Sequence, residues 1–112
     1  MRRSRIHLTM TADNLGVVEV RGRIGAHAAP LLKDHILMAG NDVVVEFRDA
    51  VFVDAVPLGV LLAATKKIRN AGGDVRLVTT GAEMRSLVRT FGLDQIFEVA
   101  SDRREFAYAK AA

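Results

Sequence analysis

No cysteine occurs among the 112 residues of this chain. That absence excludes disulfides, thiolate zinc sites and a cysteine nucleophile together, and it fits a reducing cytosol. Tryptophan is also missing and there is one tyrosine, so few aromatic faces are available for stacking on nucleobases. Long apolar runs are lacking. The longest, Leu58 to Ala64, falls far short of the ~20 residues of a membrane span. Met1-Arg2-Arg3-Ser4-Arg5 is basic like the start of a signal peptide, but charged and polar residues interrupt the succeeding stretch and no apolar h-region forms. Residues 1–5 are therefore expected to be a flexible basic N-terminus, on a soluble cytoplasmic protein with no membrane span.

Charge of one sign is in short supply as well. Sixteen basic residues against 13 acidic ones leave a net charge of +3, although the calculated pI is 9.8. With no concentrated basic stripe in the sequence and few aromatics, direct DNA binding is not expected. Apolar residues, by contrast, make up 50% of the chain, enough for a core, and charged ones only 26%, which argues against global disorder. The length fits one domain over residues 1–112.

The periodicity alternates between strand and helix. Ile6, Leu8 and Met10, then Val17, Val18 and Val20 across an Asp13-Asn14 turn, read as a β-hairpin. Pro30 suits the first turn of a helix whose stripe is Leu31, Leu32, His35, Ile36 and Ala39. Val43 to Phe47 is a dense run that fits a strand covered on both faces. A second run, Val51-Phe52-Val53, leads to Asp54. Leu58, Leu61, Leu62, Thr65 and Ile68 form a helical stripe, stopped by Gly72-Gly73. Val75, Leu77 and Val78 read as a strand. Met84, Leu87, Val88 and Phe91 read as a helix, Ile96, Phe97 and Val99 as a short strand, and Asp102 to about Ala109 as a closing helix. The order ββαβαβαβα favours a mainly parallel sheet with helices packed on it.

Catalytic patterns are scarce. His7, His27 and His35 have no metal-ligand spacing, and there is no nucleophile elbow or P-loop. Gly22-Arg23-Ile24-Gly25 lacks the third glycine of a dinucleotide fingerprint. Asp49 and Asp54 are an acid–base pair in principle, but carboxylates so placed are more often solvated or capping. The protein is expected not to be an enzyme and to need no metal or cofactor. The informative segment is Val51 to Leu61, where a buried strand ends at Asp54 and a helix opens almost at once. Free N–H groups and the positive end of a helix dipole meet there, so Asp54 either caps the helix or marks a place for a partner's polar group.

This stretch resembles the signature of the STAS domain family, in which an apolar strand runs into Asp-Ser-x-Gly-Leu and a leucine-rich helix. Asp54, Leu58, Gly59, Leu61 and Leu62 stand where that pattern wants them. Gly22-Arg23-Ile24, with Ala29-Pro30 and Leu32, resembles the family's loop and first helix, and Phe91-Gly92-Leu93 the close of its third. The resemblance implies a single STAS-like α/β domain: a mainly parallel sheet of about five strands with an N-terminal hairpin edge, and about four helices. It further implies an anti-sigma factor antagonist, which binds a kinase-type anti-sigma factor, itself a serine kinase of the switch-protein type, and so frees a sigma factor. The contact residues it implies are Gly25, Ala26, His27, Asp54, Ala55, Val56, Pro57, Leu58 and Gly59. Lys66, Lys67, Arg69, Arg85 and Arg89 either assist with an acidic partner or keep the domain soluble. A homodimer is left open.

Three positions depart from the family pattern. The phosphoacceptor Ser or Thr falls on Ala55, which has no hydroxyl to carry a phosphate. The next signature glycine falls on Pro57, and the loop aspartate on Gly25. Pro57 is expected to push Val56 towards extended backbone, so that a serine returned at position 55 would be poorly placed for a kinase. Regulation moved to another hydroxyl would fall on a residue such as Thr65 or Ser86. An accessory STAS subunit of a lipid-transport ABC ATPase, and a scaffold subunit of a signalling assembly, are the alternative functions.

Overall fold

The computed structural model describes residues 4–11 and 14–106. Its strands are β1 (Arg5–Met10), β2 (Gly16–Ile24), β3 (Asp42–Phe52), β4 (Asp74–Thr79) and β5 (Val99–Ala100). The helices are α1 (Ala29–Met38), α2 (Val56–Asn70) and α3 (Ala82–Thr90), with 3-10 turns at Ala26–Ala28 and Leu93–Gln95. The five strands lie in the order β1-β2-β3-β4-β5. β1 pairs antiparallel with β2 as the hairpin edge, and every later pairing is parallel. Because consecutive parallel strands advance in one direction and crossovers keep one hand, the helices collect on one face of the sheet. There Leu32 and Ile36 of α1, Leu61 and Ile68 of α2, and Met84 and Val88 of α3 pack on Val18, Val20, Val45, Phe47 and Leu77. A smaller cluster, Val44, Val78, Ala100 and Phe106, sits on the other face. Hence Val43 to Phe47 is buried throughout, as a strand covered on both sides requires.

Several local expectations are corrected. Arg5 is not part of a loose terminus; it opens β1 opposite Arg21. Residues 1–3 lie outside the described residues, as does Asp13 of the expected turn, while Asn14 takes a positive φ of 65°. The apolar runs on either side of Arg48-Asp49 are one strand. A register irregularity opposite Val20 and Gly22, with Asp49 at φ 48°, carries β3 past its charged residues. Leu31 and Phe91 leave their expected stripes and are exposed. Ile96 and Phe97 are not strand: Gly92 turns in left-handed backbone, the 3-10 turn comes next, and the amide of Phe97 donates to the Leu93 carbonyl at 2.8 Å while its ring enters the core. The closing helix has begun by residues 104–106, and its expected continuation to Ala109 lies outside the described residues. Among the described residues no helix is long and apolar enough to cross a membrane.

Two glycines set the tolerance of this packing. A Cβ on Gly16 would stand 2.2 Å from the carbonyl oxygen of Ala39, backbone that cannot swing aside. Gly16→Ala is expected to destabilise by about 1–3 kcal/mol and to lower Tm by roughly 5–15 °C. Gly59, on α2, is open: a Cβ added there would have nothing within 4 Å. There the alanine substitution should stabilise by about 0.5–1 kcal/mol through helix propensity. Thermal unfolding of the two variants checks the pair, and equal shifts would contradict it.

Candidate partner-binding site

The candidate residues converge where β2 and β3 end side by side. The amide of Val53 donates to the Ile24 carbonyl at 2.9 Å, prolonging the parallel pairing to the brink of the junction. Asp54 comes next, and its carboxylate ties the two chain segments together. Oδ2 accepts from the Ala26 amide at 2.9 Å, across 28 residues of sequence. Oδ1 accepts from the Val56 amide at 3.0 Å. Val56 is the first residue of α2, so this bond satisfies one of the helix's unpaired N–H groups and places negative charge at the favourable end of its dipole. Asp54 is therefore neither a simple cap nor an idle surface acid. It is a clasp between the 3-10 turn and the start of α2.

Gly25 makes the clasp possible. Any Cβ there would meet Oδ2 of Asp54 at 2.9 Å and Cγ2 of Val53 at 3.1 Å. Gly25 itself is buried, and so is Pro57; both shape the junction from beneath. Exposed above them are Ala26, His27, Val53, Asp54, Ala55, Val56 and Gly59, with Leu58 half-buried. Val53 and Val56 are apolar side chains left 45% and 48% exposed, so this rim carries apolar surface beside the Asp54 carboxylate. Val53 was legible only as the end of an apolar run. Its exposure reflects strand alternation against buried Phe52.

Ala55 occupies the N-cap of α2 with no side-chain hydrogen bond, and its carbonyl accepts the Gly59 amide at 3.1 Å. Val56 is helical, contrary to the effect expected of Pro57. Proline at the second helical position removes an N–H that has no intrahelical partner anyway, and the Asp54 bond holds Val56 in place. A side chain at position 55 thus projects from a regular, exposed helix start.

Other candidates do not join the site. Asp49 is exposed at the bulge in β3, and no interaction among the described residues links it to Asp54. His7 and His35 lie on β1 and α1, apart from His27 at the junction, and no group of three potential ligands among the described residues could hold a metal ion. Lys66, Lys67, Arg85 and Arg89 are exposed. Arg69 is committed elsewhere. Its Nε bonds Asp74 at 2.8 Å, its Nη2 donates to the Ile96 carbonyl at 2.8 Å, and its guanidinium lies 5.3 Å from the centre of the Phe97 ring. Thr65 is buried, with its hydroxyl donating to the Leu61 carbonyl at 2.7 Å, so no kinase can reach it as folded; Ser86 is exposed.

Comparison with known proteins agrees with this architecture. A sequence model of the STAS domain matches residues 8–106. The anti-sigma-B factor antagonist of Bacillus subtilis (strain 168) is 24% identical over 87 residues, covering 75% of this chain and 80% of that protein. The structure of an anti-sigma factor antagonist from Mycobacterium paratuberculosis matches with a TM-score of 0.80 at 23% identity, over 96% of this chain and 93% of the other. The Bacillus anti-sigma factor antagonist SpoIIAA, in its unphosphorylated form, matches with a TM-score of 0.69 at 18% identity, over 96% and 97% of the two chains.

Proposed function

The chain belongs to the STAS domain family, and from that premise we propose that it is a regulatory binding module of the anti-sigma factor antagonist type. Its partner is a kinase-type anti-sigma factor, and binding releases a sigma factor. The observation that carries the reading is the Asp54 clasp. It fuses the turn at Ala26 and the start of α2 into one exposed, partly apolar surface whose central carboxylate already has both oxygens bonded to backbone N–H groups. Such a surface offers shape and apolar contact, and its central carboxylate is occupied by backbone N–H groups, which supports recognition as its work.

Ala55 gives the module its particular character. A partner kinase finds no hydroxyl at the exposed helix start, so the phosphate that would end binding cannot be attached there. The antagonist stays in its binding state whatever the ATP level. The same absence suits a second reading, the accessory subunit of a lipid-transport ABC ATPase, where a permanent contact is wanted. Affinity capture from the native cell with mass spectrometry separates the two. Recovery of a kinase-like anti-sigma factor, lost with Asp54→Ala, supports the first reading. Recovery of ABC transporter subunits instead would replace it with the second.

A further inference from the structure

The face of the sheet away from α1, α2 and α3 is charged. Arg5 stands directly opposite Arg21 on the β1–β2 pair. Like charges so placed repel, and among the described residues Arg5 has no acidic partner. Arg48 is next in the row, on β3. Glu19 is shared between Arg21 and Arg48, 2.8 Å from Arg21 Nε and 3.9 Å from Arg48 Nε. Beyond it, Glu46 is buried and pairs with Arg48, while Arg103 approaches its second oxygen at 3.8 Å. The side chains of Arg21, Arg48 and Arg103 remain about half exposed. Two hollows flank this row, one of about 530 Å³ lined by Arg5, Glu19 and Arg21 that wraps the β1 edge to Leu31 of α1, the other of about 380 Å³ lined by Arg48, Arg103, Thr80, Ser101, Glu46 and Asp102.

We propose that this row is a second interaction surface, separate from the Asp54 junction, and that it takes an extended acidic segment of a protein partner. Arg5, and the terminal guanidinium nitrogens that Arg21 does not give to Glu19, can donate to carboxylates, and flanking hydroxyls add donors. An acidic segment would also relieve the Arg5–Arg21 repulsion. A nucleic acid fits less well. Glu19, Glu46 and Asp102 interrupt the positive row; a peptide can set neutral residues beside them, whereas a phosphate backbone carries a charge at every step, and Phe106, the aromatic residue described on this face, is buried and closed to stacking.

The test is fluorescence anisotropy with two labelled probes of equal charge, a peptide of alternating glutamate and serine and a single-stranded DNA oligonucleotide. The peptide should bind saturably and more weakly as salt rises. Arg5→Gln combined with Arg21→Gln should weaken it about tenfold, and Arg103→Gln should weaken it as well. Asp54→Ala should leave peptide binding unchanged. Circular dichroism of each variant verifies the fold, and Arg103→Gln keeps the test valid if the double variant unfolds. The proposal is overturned if the peptide does not bind saturably, if the oligonucleotide binds more tightly, or if the folded arginine variants bind as the parent does.

Discussion

Asp54→Ala should abolish capture of the anti-sigma partner while leaving a folded domain. The substitution removes two hydrogen bonds, to the Ala26 and Val56 amides, and one favourable charge at the start of α2. Both bonds are exposed to solvent, and water replaces the carboxylate at both amides. The expected loss of stability is about 1–2 kcal/mol, small against the roughly 5–15 kcal/mol of a typical domain. Binding suffers more, because the turn and the helix start are then free to move independently, and a partner must order them again when it docks. A drop of more than about thirtyfold in affinity is expected, corresponding to roughly 2 kcal/mol, as for a residue central to an interface. Asp54→Asn keeps one carbonyl acceptor and should fall between. Titration calorimetry against the captured partner, beside urea unfolding of the free variants, measures both quantities. A variant that unfolds outright would make Asp54 a structural residue, and one that binds at parental affinity would remove the clasp from the interface.

The largest loss of stability belongs to Phe47→Ala. Phe47 is 0% exposed in the middle of the helix-covered face, and its ring stacks edge-on against Phe52, with centroids 5.4 Å apart and planes at 86°. Phe52 is the last residue of β3, so this aromatic pair anchors the strand that delivers Asp54 to the junction. Removing the ring leaves a cavity that neighbouring strands, fixed by their ladder, cannot fill. A cost of about 3–5 kcal/mol is expected, seen as a lower urea midpoint at unchanged slope. A loss below about 1.5 kcal/mol would mean that the surrounding core collapses into the space.

Much of this was legible in the sequence, for reasons that differ from element to element. The stripe of α2 was readable because Leu61, Thr65 and Ile68 repeat at helical spacing and all are buried. Val43 to Phe47 was readable because a doubly covered strand has no polar alternation to obscure it, Glu46 apart. The junction at Asp54 was readable as a strand end meeting a helix start. What Asp54 does there was not, since the Ala26 amide it binds lies 28 residues away and only the parallel pairing of β2 with β3 brings them together. The effect of Pro57 escapes a reading from proline preference alone. That preference sets Val56 as extended, and the hydrogen bond from its amide to Asp54, two residues back, together with the burial of Pro57 overrides it. The charged row across the open face was invisible because Arg5, Arg21 and Arg48 are scattered in sequence and aligned only by the sheet.

The central claim is that this is an antagonist whose contact surface has no phosphate switch. It is tested most directly by adding ATP and magnesium to the purified complex with the kinase-type anti-sigma factor, then reading intact mass and complex lifetime together. The parent chain should keep its mass and stay bound. Ala55→Ser alone, without change at Pro57, should gain one phosphate on the exposed helix start and leave the complex. A parent chain that takes up a stoichiometric phosphate and dissociates with ATP would contradict the account.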